Sequence, residues 1–196
     1  MMQERVRIVG VETLARAWGT LTRTLMDYRR RDGVVQRFAR EVYDHGNAAA
    51  ILLFDPMRET VLLVRQFRYP PTLNGDAGDM LEVCAGLLDG DEDPSCTAAR
   101  EALEETGHQP RDIRHICDAY ASPGSLTEKV SLFIGHYDAG THRHDGGGLA
   151  AEGEEIELVE MRLDAALALI DDGGIVDAKT LILLQRLALE QNRKDQ

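Results

Sequence analysis

Cysteine is scarce in this 196-residue chain, and the few present are uninformative as a scaffold. Cys84, Cys96 and Cys117 are odd in number and lack zinc-type spacing, so free thiols in a reducing cytoplasm are the simplest reading. No apolar run approaches the ~20 residues that span a bilayer. The opening Met-Met-Gln-Glu-Arg has no signal-peptide apolar core. A cytoplasmic location with no membrane partner is therefore expected. Positive charge is also in deficit: 22 Lys and Arg stand against 34 Asp and Glu, a net charge of −12. That balance argues against sustained binding to nucleic acid or anionic membrane. Internal repeats are absent. The length suffices for one sizeable core, and a hydrophobic content of 43% is ordinary for a globular protein.

The acidic residues are concentrated where they matter. Residues 86–92 read Gly-Leu-Leu-Asp-Gly-Asp-Glu, and after seven more residues the chain continues Arg100-Glu101-Ala102-Leu103-Glu104-Glu105-Thr106-Gly107-His108. Asp93 is a good N-cap, Pro94 suits the first helical position, and Gly107 suits a left-handed C-terminal cap. Between them a helix of roughly three to four turns is predicted. Glu101, Glu104 and Glu105 then fall at i, i+3 and i+4 and share a face. Like charges so placed destabilise a helix by a few tenths of a kcal/mol per pair, which calls for a cation. Mg²⁺ fits, being a hard ion that takes carboxylates, waters and phosphate oxygens. Gly86 lets a neighbouring backbone carbonyl approach an ion closely.

Along the rest of the chain, residues 16–44 read as a long β-hairpin turning at Arg31-Asp32-Gly33. A hairpin alone is marginal, so it needs the main domain or a second copy of the chain to pack on. Strands are predicted at 48–54, 60–67, 80–84, 113–121, 129–137 and 155–161, with a Pro-, Gly- and Asn-rich loop over 69–78. Two helices, near 164–171 and 177–191, close the chain. The Gly-rich stretch 139–153 reads as a flexible loop that ends in Glu152-Gly153-Glu154-Glu155-Ile156-Glu157. An α/β/α sandwich with a mixed sheet, plus an N-terminal β-hairpin extension, is the expected architecture. Residues 1–46 form the extension and 47–196 the main domain.

The pattern Gly, five residues, Glu, seven residues, Arg-Glu-x-x-Glu-Glu-x-Gly is similar to the signature of the Nudix hydrolases. Two packing positions depart from it, Ala102 in place of a larger aliphatic residue and His108 after the last Gly. Over nearly its whole length the chain resembles the GDP-mannose pyrophosphatase branch of that family. The resemblance rests on residues 40–47, 65–68, 82–89, 120–124, 146–148 and 177–180, with Ser125 standing where a second Gly is usual. It implies an α/β/α fold and Mg²⁺- or Mn²⁺-dependent hydrolysis of a nucleotide-sugar diphosphate. It also implies a homodimer whose sites draw residues from both subunits.

The resemblance further implies residue roles. Glu101 and Glu105 would ligate Mg²⁺ with the carbonyl of Ala85, beside Gly86 and Leu87. Glu104 would ligate through water or a second ion, and Arg100 would hold a neighbouring carboxylate or Glu92. Glu154 would close onto the metal site and orient or deprotonate the attacking water, with Glu155 competing for the role. Arg68 would clamp a phosphate, Arg40 and Glu41 would reach the nucleotide from the partner subunit, and Trp18 would stack on the base. The loop histidines His142 and His144 are expected to be solvated. An ADP-ribose pyrophosphatase and a non-catalytic nucleotide sensor stand as alternatives to a GDP-mannose pyrophosphatase.

Overall fold

The computed structural model describes residues 5–138, 142–143, 146–148 and 155–194. The chain divides into two compact units, one of residues 1–47 with 120–129 and the other of 48–119 with 130–196.

The first unit carries a three-stranded antiparallel sheet in the order β1 (Val6–Arg16), β2 (Thr20–Arg29), β3 (Val35–Asp44). The predicted hairpin corresponds to β2 and β3. Its turn is closed by the Arg30 N–H donating to the Val34 carbonyl at 2.8 Å, with Gly33 at φ +86°. β1 lies ahead of the predicted hairpin and is an additional strand. Register shifts between Ile8 and Gly10 and between Thr13 and Ala15 interrupt its alternation, because each extra residue flips the faces that follow. Asp27 on β2 ties the sheet together. Its carboxylate accepts from Arg37 on β3 at 2.6 Å and from Arg7 on β1. Arg37 first, then Arg7, hold Asp27 well below the usual carboxylate range.

The second unit is built on a mixed sheet of β4 (Ala48–Asp55), β5 (Thr60–Phe67), β6 (Asp79–Glu82), β7 (Cys84–Leu87), β8 (Arg111–Tyr120), β9 (Lys129–His136) and β10 (Ile156–Arg162). The strand order is β10-β5-β4-β9-β8, with β6 added to β5 and β7 to β4. β4 runs parallel to β9 and antiparallel to β5 and β7. Every residue of β4 is buried, as a central strand covered on both faces requires. Alternation divides it between two layers. Ala48, Ala50, Leu52 and Phe54 pack with Ala166 of α3 (Leu163–Asp171) and Leu183, Leu184 and Leu187 of α4 (Ala178–Lys194). Ala49, Ile51 and Leu53 face Ala98 and Ala102 of α2 (Pro94–Thr106). The fold of this unit is thus the expected α/β/α sandwich. Ala102 is fully buried in the layer that holds Ala49, Ile51 and Leu53 of β4, and its small side chain stands where a larger aliphatic was anticipated.

Two local expectations change. The single strand predicted over 80–84 is two strands pairing with different neighbours, because the Val83 N–H turns to Thr180 Oγ1 at 2.9 Å. Within the predicted 69–78 loop, Pro70 and Pro71 start the short helix α1 (Tyr69–Thr72), prolines being pre-set for a first helical turn. The cysteines are free: Cys84 is buried, Cys96 exposed and Cys117 between the two. No helix among the described residues is long and apolar enough to cross a membrane.

Candidate active site

α2 begins and ends where its capping residues direct. Asp93 Oδ1 accepts from the Ser95 N–H at 2.8 Å, Pro94 is the first helical residue, and Gly107 closes the helix at φ +73° with its N–H on the Leu103 carbonyl. These caps fix the phase of the helix, so one face presents Glu101, Glu104 and Glu105.

The repulsion on that face is answered from within the helix. Arg100 Nη1 lies 2.8 Å from Glu101 Oε1 and 3.0 Å from Glu104 Oε2, and Nη2 lies 3.6 Å from Glu92 Oε2. Glu92 is itself held by the Thr97 hydroxyl at 2.8 Å. Burial works against the charge of Arg100, but Glu101, Glu104 and Glu92 together raise its pKa. Among the described residues, no group of three or more His, Cys, Asp or Glu side chains is gathered as an ion cage. Glu154 lies outside the described residues, as does His144. Glu155 is exposed, one residue ahead of β10.

The closest approach in the site is between Glu101 and Gly86. A Cβ built on Gly86 would stand 1.9 Å from Glu101 Oε1 and 2.1 Å from its carboxyl carbon. A side chain there would displace the Glu101 carboxylate. Gly86 pairs with Ala49 of β4, Ala85 with Ala50 and Leu87 with Ala48. The small residues along β4, β7 and α2 therefore bring a carboxylate onto bare backbone beside the Ala85 carbonyl. Glu105 is 2% exposed and borders Cys84, whose thiol burial and the Glu105 charge push well above its ordinary range. The thiol thus stays protonated beside an acidic group. This donor set consists of hard oxygens with a cradle that a side chain would fill, so it fits a hard divalent cation.

The segment after β9 reaches the end of the same helix. The Gly147 N–H donates to the Glu105 carbonyl at 2.8 Å and the Arg143 N–H to the Gly107 carbonyl at 2.7 Å. Gly146, at φ +68°, presses so close that a Cβ would come 2.5 Å from the Glu105 carbonyl oxygen. His142 is exposed, as anticipated, yet its ring centroid lies 5.0 Å from that of His108.

Arg68 follows β5 directly and makes a two-point contact with Glu82 of β6, Nε to Oε1 at 2.9 Å and Nη2 to Oε2 at 3.3 Å. Lys179 of α4 also reaches Glu82 Oε2 at 3.2 Å and Asp177 Oδ1 at 2.7 Å. Burial opposes the charge of Arg68, but Glu82, with Glu105 and Asp177 behind it, raises its pKa. Glu82, Asp177 and Lys179 have no role predicted from the sequence. An acid inside the apolar run Met80-Leu81-Glu82-Val83-Cys84 was the available signal.

Trp18, Arg40 and Glu41 belong to the first unit. Trp18 is 72% exposed and stacks on His45 at 4.8 Å between centroids. The Arg40 guanidinium lies over the Phe38 ring at 4.3 Å, and Glu41 stands opposite Arg23. Ser125 has no positive φ, so nothing in its backbone calls for the usual glycine; its carbonyl accepts from the Tyr43 N–H at 2.9 Å.

An acidic helix seated on a glycine strand across an α/β/α sheet defines a Nudix domain, and the chain belongs to the Nudix family. Residues 44–184 match the NUDIX domain and residues 5–43 match the GDP-mannose pyrophosphatase NudK N-terminal domain. Nudix hydrolases generally use a divalent metal. The chain is 43% identical over 189 residues to a GDP-mannose pyrophosphatase of Cronobacter sakazakii, covering 96% of this chain and 97% of that protein. It is 42% identical over 185 residues to one of Pectobacterium atrosepticum, covering 94% of each. Against one of Escherichia coli O1:K1 it is 41% identical over 189 residues, covering 96% and 97%. The crystal structure of an ADP compounds hydrolase shares the fold, with a TM-score of 0.71, 21% identity and 96% of each chain covered.

The Gly86 contact gives a direct test. Gly86→Ala is expected to drive Glu101 off its seat and to lower turnover by about 100-fold, the scale of a misplacement near 1 Å. Steady-state hydrolysis, with circular dichroism to verify folding, checks it; undiminished turnover would show that the close approach is not needed.

Proposed function

We propose that this protein is a nucleotide-sugar pyrophosphatase acting on GDP-mannose, releasing GMP and mannose 1-phosphate. The observation that supports it most strongly is the near full-length identity to GDP-mannose pyrophosphatases, which includes the N-terminal region as well as the acidic helix. Water attacks one phosphorus, the bond from that phosphorus to the bridging oxygen breaks, and the departing phosphate keeps that oxygen.

Glu101, Glu105 and Glu104, with the Ala85 carbonyl, are the groups to hold Mg²⁺, with Mn²⁺ as a substitute. Bound there, the metal supplies neutralisation of phosphoryl charge and a lowered pKa for coordinated water. Arg100 keeps the carboxylates in register through charge-assisted contacts at 2.8–3.0 Å. Glu154 orients or deprotonates the attacking water. Arg68 meets a phosphoryl oxygen. Trp18 stacks on the base, a contact worth roughly 1–3 kcal/mol per base in nucleic-acid complexes. Arg40 and Glu41 reach the nucleotide from a partner subunit. Most of the acceleration comes from this positioning and from charge placed in advance. The net charge of −12 means that attraction for a diphosphate has to be local.

A homodimer with shared sites agrees with the apolar side chains that the first unit leaves exposed, including Ile8, Val11, Leu14 and Val35. Sedimentation velocity is expected to give a species of twice the chain mass, and a monomer at micromolar concentration would remove the shared-site reading.

Activity is tested with a phosphatase-coupled phosphate-release assay on GDP-sugars, ADP-ribose and other ADP-sugars. GDP-mannose is expected to give the highest kcat/KM. Preference for ADP-ribose would move the assignment to that substrate, and no hydrolysis of any would leave a nucleotide-binding sensor. Glu105→Gln is expected to lower turnover by orders of magnitude at saturating Mg²⁺ with folding retained. Glu154→Gln is expected to cost more than Glu155→Gln in a matched assay; the reverse order would exchange their roles.

A further inference from the structure

Glu82 is only 4% exposed at its side chain, yet it carries a carboxylate between two cations. A buried acid is costly unless it is paired and hydrogen-bonded. A buried ion pair is in turn weak grounds for stability, because well-packed apolar residues often serve as well. The geometry of this group is more informative than its energy. Glu82 takes the Nε and Nη2 edge of Arg68 at 2.9 and 3.3 Å. Among the described residues, Nη1 has no hydrogen-bond partner, and the Arg68 side chain remains 40% exposed. A planar guanidinium gripped along one edge has its other edge fixed in direction.

The grip is braced from α4. Lys179 Nζ contacts Glu82 Oε2 at 3.2 Å and Asp177 Oδ1 at 2.7 Å. Asp177 Oδ2 accepts from the Thr180 N–H at 3.0 Å and from its hydroxyl at 2.7 Å. That same hydroxyl oxygen accepts the Val83 N–H at 2.9 Å. One continuous network thus joins the start of α4 to the break between β6 and β7, two residues ahead of Ala85. Its formal charges cancel, two cations against two carboxylates, so it adds little net attraction of its own. It supplies direction.

We infer that Glu82 is a positioning residue for diphosphate binding: it holds one edge of Arg68, braced by Lys179 and Asp177, so that the Nη1 edge is presented to a phosphoryl oxygen. This rests on the proposed function, since it takes the ligand to be a diphosphate.

The test measures calorimetric binding of methylenediphosphonate, a non-hydrolysable diphosphate, with Mg²⁺ present. The proteins are the full chain, Glu82→Gln, Arg68→Gln and the double variant. Each single change is expected to weaken binding by about tenfold or more, the range of a lost charge-assisted hydrogen bond. The double variant is expected to bind no more weakly than Arg68→Gln, because Glu82 acts through Arg68. Glu82→Asp, which keeps the charge on a shorter arm, is expected to fall between wild type and Glu82→Gln, and it is the variant compared if Glu82→Gln fails to fold. Unchanged affinity in the folded Glu82 variant, or losses that multiply in the double variant, would overturn the inference while leaving the reaction assignment intact. Wild-type protein that binds the diphosphonate but hydrolyses no nucleotide sugar would remove the reaction assignment alone. Failure of wild type to bind it would overturn the inference, while hydrolysis of nucleotide sugars alone decides the reaction assignment.

Discussion

The seat of Glu101 on Gly86 is the contact around which the rest of the second unit is arranged. Carboxylate and strand backbone meet at a distance that no side chain at position 86 permits. To hold a helix that close, the layer beneath it has to be thin, and it is: Ala49 of β4 lies under Ala98 and Ala102 of α2. The helix caps at Asp93 and Gly107 then fix rotation, so that Glu101 meets the strand while Glu105 is buried and Glu104 stays partly exposed on the same face. Small residues, caps and acidic spacing are one device.

Charge is managed locally throughout this acidic protein. Arg100 spans Glu101 and Glu104 on its own helix and Glu92 in the turn ahead of it, and Glu82 and Asp177 are matched by Arg68 and Lys179. In the first unit Asp27 is matched by Arg37 and Arg7. Pairing of this kind offsets the cost of holding carboxylates out of water. Arg100 has a particular place in this. The crowding of like charges that suggested a metal from the sequence is offset in the fold by the cation next to Glu101 in the chain, which also reaches Glu104.

The two units were unequally legible. In the second, unbroken apolar runs in β4 and β5 announced a covered sheet, and the ends of α2 followed from Asp93, Pro94 and Gly107. Where neighbours override local pattern, reading failed. Val83 gives its amide to a threonine on α4, ninety-seven residues away, and splits one strand into two. Bulges in β1 broke the alternation by which strands are recognised, and the first strand of the N-terminal sheet went unseen. Glu82 and Lys179 carried no periodic signal, since each is meaningful only beside the other.

The sequence by itself determined the acidic helix, its caps, the glycine opposite it and the family to which they belong, because all of these depend on spacings within a few turns of chain. Only the tertiary structure decided which carboxylate each cation serves, that a side chain at position 86 would displace Glu101, and that Arg68 has one edge held and the other open. Those are distances between strands β5, β6 and β7 and helices α2 and α4, and no local pattern encodes a distance across a sheet.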